Sequence, residues 1–246
     1  MNKDAFDFFD KIFCLNLQHR TDRWENCVKV FNELGLQDRV ERIEGYNAIK
    51  EYTDNSVFAK YFEHGPNNID VINLRRTGCA YSFIKLIIHA KEQKFKNILI
   101  FEDDVCLTAP SRFIKEYLNE GVLQLPQDWE MFYLSANPTV CPREYSSNLC
   151  YLPGAYCCHA VAISERVYDH IITSYNNEED AFGWVLKHVN FDTFCTNNIL
   201  PRDKSYMLKH LLFTQYSNFS DIENCIRPND DVIKQTYMKF SHILSV

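Results

Sequence analysis

Three adjacent carboxylates, Glu102, Asp103 and Asp104, follow the apolar run Ile98 to Phe101. Neighbouring carboxylates repel one another and are costly to desolvate. A turn or a surface loop would hold them at lower cost. A bound cation would reverse the sign of that cost. Strand alternation places Glu102 and Asp104 on one side and Asp103 on the other. Two same-side carboxylates suit a hard divalent cation, Mg²⁺ or Mn²⁺, which takes oxygen ligands. Such a cation could in turn neutralise a diphosphate. The competing reading is an ordinary acidic strand end held by solvent.

Other residue types fit the same chemistry, each beside a plainer use. Arg20 and Arg23 follow the first strand, where paired guanidiniums could grip phosphate oxygens. They also read as a solvated helix start with Asp22 as partner. Asn16 and Leu17 end the first strand, and Asn47 and Ala48 end the second. Both pairs serve equally as turn residues. Ser82 reads as a first-turn helix residue, a place for an anion contact or for a cap-region hydroxyl. Asp192, in "NFDTF", is a candidate to take a proton from a hydroxyl or to cap a helix, with Asp180 the next place to look. His159, Cys79, Trp129, Tyr133 and Trp184 read as core before chemistry.

The elements that must position these residues alternate along the chain. Residues 11–17 read as a strand. A helix follows through 36, with Trp24, Cys27, Val28, Phe31 and Leu34 at helical spacing and Gly35 as its C-cap. Residues 39–48 read as a strand and turn. Residues 50–76 read as polar and irregular, with "EHGPNN" (63–68) as a loop. A helix is expected over 77–95, opened by Thr77 or Gly78, and then a strand over 96–105. A helix over 111–125, strands over 128–136 and 155–164 and a helix over 165–175 complete the clear pattern, and 191–200 and 205–216 carry weaker ones. This order predicts one α/β domain over 1–246, a mostly parallel sheet flanked by helices. Ligands of such a sheet sit beyond the carboxyl ends of its strands.

Composition narrows the classes. With 246 residues, 46% of them hydrophobic, the chain can bury a substantial core. A net charge of -7 argues against a general nucleic-acid binder. The 10 cysteines show no zinc-site spacing. The N-terminus lacks a signal-peptide core, and no apolar run approaches the roughly 18 residues of a transmembrane helix. The expectation is a cytoplasmic protein with reduced thiols.

Several stretches, taken in order, resemble glycosyltransferase family 25, which includes bacterial lipooligosaccharide and collagen galactosyltransferases. They are Leu15-Asn16-Leu17 with Arg20, Asp22, Arg23 and Trp24, then "GCAYS" at 78–82, "LIFEDDV", "WEMFYLS", "CHAVAIS", "FDTF" and "TQYSNFSDI". The likeness runs from about 11 to about 223. It implies a GT-A type, Rossmann-like fold and a metal-dependent, inverting transfer of a hexose, galactose or glucose. The donor would be a UDP-sugar and the acceptor a hydroxyl on a glycan or protein. It gives the acidic triplet the DxD role, carried to Glu102 and Asp104 as metal ligands, with Asp104 the more direct. Asn16 and Leu17 would meet the base, Asn47 and Ala48 the ribose, and Arg20, Ser82 and Asp103 other parts of the donor. Asp192 would be the general base. One departure stands out: Phe83 occupies the place of the His in the family's "GCxxSH". A transferase-like binding or scaffold protein without turnover is therefore the alternative. No GxGxxG or Walker loop points to another nucleotide enzyme.

Overall fold

The computed structural model describes residues 4–50, 68–175, 181–222 and 225–246. Lys11–Asn16 forms β1, whose last five residues are all buried, as a central strand covered on both faces requires. Helix α1 (Thr21–Glu33) returns the chain, and Gly35 follows it at φ 65, the left-handed cap that favours glycine. Strand β2 (Val40–Glu44) pairs parallel to β1. Helix α2 (Asn68–Glu92) leads to β3 (Asn97–Glu102), parallel to β1 on its other side.

After β3 come β4 (Val105–Leu107), α3 (Ser111–Gln124) and β5 (Met131–Pro138). Two short strands follow, β6 (Arg143–Glu144) and β7 (Leu149–Tyr151), and then the ten-residue β8 (Ala155–Ser164). Three helices, α4 (Glu165–Ser174), α5 (Ala181–His188) and α6 (Phe191–Asn198), precede β9 (Ser205–Leu208). The chain continues through β10 (Phe213–Gln215), β11 (Asn218–Ser220), β12 (Cys225–Arg227) and α7 (Asn229–Lys239).

The main sheet runs β2-β1-β3-β8-β5-β9-β7-β6. Its pairings set β8 and β7 against the common direction, and the other six strands run together. The sheet is thus mostly parallel, as expected, with β8 inserted antiparallel between β3 and β5. Side chains split between its faces. Phe13, Leu15, Ile98 and Ile100 pack with α2, α4, α5 and α6. Ile12, Cys14, Leu99 and Phe101 pack with Cys27 and Phe31 of α1 and Ile114 and Leu118 of α3.

Two expectations change. Helix α2 begins at residue 68, not 77, so 68–76 is helical rather than irregular. Leu74 within this added stretch and Thr77 next to it are buried, and that packing holds the stretch despite its polar sequence. Of the expected irregular stretch 50–76 with its loop at 63–68, residues 51–67 lie outside the described residues. Strand β3 also ends at Glu102, and Asp103 and Asp104 form a turn before β4. Strand alternation therefore does not govern those two acids. Among the described residues, no helix is long and apolar enough to cross a membrane.

Candidate active site

A cavity of about 520 Å³ opens beyond the carboxyl ends of β1, β2 and β3. Asn16, Leu17, Asn47, Ala48, Ser82, Glu102, Asp103, Asp104 and Asp192 all line it. Arg20 does not. Its guanidinium donates to both carboxylate oxygens of Asp22, at 3.0 and 2.9 Å, and to Asp221. These contacts raise the Arg20 pKa and hold Asp22 down at about 2.

Arg23 takes the inward position instead. It donates to Asp103 at 2.5 Å and to the Phe219 carbonyl at 2.9 Å. Burial alone would lower its pKa, but Asp103 and Asp104 outweigh that and raise it. The side-chain amide of Asn16 donates to the other Asp103 oxygen at 2.6 Å. Asp103 is therefore a fully paired, charge-assisted anchor between β1 and α1.

Among the described residues, Glu102 and Asp104 have no ion-pair partner. Gln215, at the end of β10, donates through Nε2 to Glu102 at 3.3 Å and to both Asp104 oxygens at 3.1 and 3.0 Å. The pairing of β10 with β4 sets Gln215 opposite Val105, just past the acids. Burial pushes Glu102 well above the usual carboxylate range, and Asp104, Asp192 and Asp103 push it further. Burial, then Asp103, raises Asp104 to about 6, while Arg23 and Gln215 oppose this. Ionising either acid works against the fold. The stability that Asp104 supplies while protonated is full below its unfolded-state pKa and is lost as pH rises through about 6.

Asp192 lies on α6, whose N-cap Asn190 accepts from the Thr193 N–H at 2.7 Å. One Asp192 oxygen accepts the Cys157 N–H at 2.9 Å. Cys157 has φ 70, a conformation uncommon away from glycine. That local turn in β8 aims its N–H at the carboxylate. Burial raises the Asp192 pKa, opposed by the Cys157 and Cys158 hydrogen bonds.

The far wall is α2. A Cβ on Gly78 would stand 2.6 Å from the Tyr46 carbonyl, so only glycine lets the helix meet the loop after β2 this closely. Because α2 starts early, Ser82 sits mid-helix and not in a first turn. Its hydroxyl donates to the Gly78 carbonyl at 2.7 Å and accepts the Tyr46 N–H at 2.7 Å. Ser82 thus fixes the loop carrying Asn47 and Ala48. Phe83 lies face to face with Phe191, ring centroids 4.5 Å apart at 7°, and packs the floor beside Asp192. His159, Tyr133, Trp129 and Trp184 are buried in the core. Asp180 lies outside the described residues.

Gln215 and the inward Arg23 are the residues that sequence reasoning missed or underweighted. Gln215 stands in the quoted "TQYSNFSDI", but its partner acids are 113 and 111 residues away and the β10–β4 pairing joins them. Arg75 and Arg76 also line the cavity, brought there by the early start of α2.

Do the acids suit a cation? Among the described residues, no group of three or more His, Cys, Asp or Glu side chains is gathered to hold one. Glu102, half-buried, and Asp104, buried, nonetheless supply two hard oxygen donors whose repulsion a cation would relieve. The donor set fits Mg²⁺ or Mn²⁺, with the remaining ligands coming from solvent or substrate.

A mostly parallel sheet with a cavity beyond its strand ends and acids at its central strand defines a GT-A type, Rossmann-like protein. The sequence model of glycosyltransferase family 25 (LPS biosynthesis protein) matches residues 9–140, more than half of the chain, and the chain belongs to that family. No match is found among curated proteins. Solved structures with a similar outline are distant. A glycosyltransferase involved in glycosylation of the major capsid of PBCV-1 is 9% identical, with 95% of this chain and 98% of that one covered and a TM-score of 0.45. Mannose-1-phosphate geranyltransferase from Thermus thermophilus is 8% identical, with 80% and 72% covered and a TM-score of 0.43. Mouse xyloside xylosyltransferase 1 is 13% identical, with 81% and 74% covered and a TM-score of 0.36. At such distances these likenesses carry no function to this chain.

Proposed function

We propose that this family 25 glycosyltransferase, acting as one domain, moves a hexose, galactose or glucose, from a UDP-sugar to a hydroxyl on a glycan or protein, with inversion and with Mn²⁺ or Mg²⁺. The observation that carries this reading is the carboxylate pair of half-buried Glu102 and buried Asp104, tied together by Gln215 and close enough to Asp192 for that acid to raise the Glu102 pKa. Glu102 and Asp104 would hold the cation, which supplies positive charge to the departing diphosphate. Asn16, Leu17, Asn47 and Ala48 border the nucleotide half of the cavity, and the Arg23–Asp103–Asn16 chain keeps that wall rigid. Asp192, fixed by the Cys157 N–H, takes the proton of the acceptor hydroxyl. The hydroxyl oxygen bonds to the anomeric carbon from the face opposite the leaving group. The bond from that carbon to the diphosphate breaks, and UDP leaves.

Phe83 and Phe191 exclude water from the floor beside Asp192, which strengthens the electrostatics of the proton transfer. Slow hydrolysis tests the reading without knowledge of the acceptor. With Mn²⁺, the protein should release UDP from UDP-galactose or UDP-glucose above the rate without enzyme. No release from a panel of UDP-sugars, with or without candidate acceptors, would favour a binding or scaffold role.

A further inference from the structure

Helical spacing turns one stripe of α2 toward the cavity. Arg75, Gly78, Cys79 and Ser82 stand at i, i+3, i+4 and i+7, and all four line it. Arg76 lines it from the next position. Gly78 and Ser82 meet the loop after β2, while burial and then Glu102 and Asp192 raise the pKa of the Cys79 thiol. Arg75 therefore stands one turn, about 6 Å along the axis, from a residue in the field of the acids.

These two guanidiniums differ from those of Arg20, Arg23 and Arg42. Arg23 is tied to Asp103, Arg20 to Asp22 and Asp221, and Arg42 to the side-chain oxygen of Asn16. Arg75 and Arg76 are half-buried, and among the described residues neither has a carboxylate partner. The contact made by Arg76 is with Asn73 Oδ1, at 3.4 Å. Adjacent, partly desolvated cations without counter-ions are costly. Among the described residues no acid pairs them, and they face a cavity instead.

We propose that Arg75 and Arg76 form an oxyanion subsite of the cavity, separate from Glu102 and Asp104, that binds phosphate or carboxylate oxygens of the ligand. The proposal deepens the donor reading above and rests on it only for the ligand's identity. Two sources share this chemistry, the diphosphate of the donor and a carboxylate on the transferred sugar.

Titration calorimetry with excess chelator tests the subsite apart from turnover. The probes are inorganic pyrophosphate, uridine, UDP, UDP-glucose and UDP-glucuronate, against wild type, Arg75→Gln, Arg76→Gln and the double variant. Weak binding of pyrophosphate or of a charged nucleotide to wild type should fall at least about tenfold in the double variant, the loss of charge-assisted hydrogen bonds. Uridine binding should not change. A loss on UDP identifies the donor diphosphate. UDP binding kept, with a wild-type preference for UDP-glucuronate over UDP-glucose lost, identifies a sugar carboxylate. If pyrophosphate binding needs the arginines but no uridine nucleotide binds even with Mn²⁺, the subsite stands and the donor reading falls. Should the double variant fail to fold, the single variants decide by the same criterion. Wild type and variants that bind every anionic probe alike, or not at all, overturn the subsite.

Discussion

Asp104→Ala is expected to remove metal-dependent transfer, by at least about 10²–10³-fold, the scale on which losing one transition-state charge stabiliser acts. The fold should survive. Asp104 is buried, its pKa is raised to about 6, and its negative charge is opposed by Asp103. Removing it relieves that repulsion, while Gln215 keeps Glu102 as an acceptor at 3.3 Å. Unfolding of the variant without metal at neutral pH should therefore match or exceed wild type in midpoint, an instance of a site that trades stability for activity. The measurement pairs turnover across Mn²⁺ concentration with thermal unfolding. Normal turnover at low Mn²⁺ would show that the cation, if one is used, is held elsewhere.

Asp192→Asn should lower turnover by about 10²–10⁴-fold, the usual share of a general base, with donor affinity little changed. The asparagine is nearly isosteric, and its side-chain oxygen can still accept the Cys157 N–H that now reaches Asp192 at 2.9 Å. Position and packing are kept, and only the ability to take a proton is lost. The wild-type rate should rise with pH through the Asp192 pKa, which burial sets above the ordinary carboxylate value. That limb should vanish in the variant. Unchanged turnover would remove Asp192 from the chemistry and leave it as the residue that orders β8 against α6.

The sheet was readable where burial dictates composition. The strands β1, β3, β5 and β8 are apolar runs because both of their faces are covered. The direction of β8 was not readable, since an apolar run does not encode which way it pairs. Residues 68–76 hid their helix behind Arg75 and Arg76, whose charge belongs to a cavity and not to a solvated loop. The acids declare themselves by their cost, but strand alternation is not what groups them: Glu102 and Asp104 meet through a turn and Gln215. The two arginines after β1 are indistinguishable by type. Only the return of Phe219 and Asp221 from the far end of the chain sets Arg23 inward and Arg20 aside. Long-range pairs of this kind leave no local pattern.

The cation and the nucleotide must bind as one if Glu102 and Asp104 form a metal-assisted diphosphate site. Bare carboxylates repel an anion, and two side chains give a cation too few ligands. Thermal unfolding with UDP and Mn²⁺ each near 100 times its dissociation constant should show roughly 2.7 kcal/mol of added stability. Mn²⁺ alone, or UDP with a chelator, should give much less, and Glu102→Ala or Asp104→Ala should abolish the joint gain. Equal stabilisation by UDP with the chelator present would contradict the metal site and return the acids to an unliganded strand end.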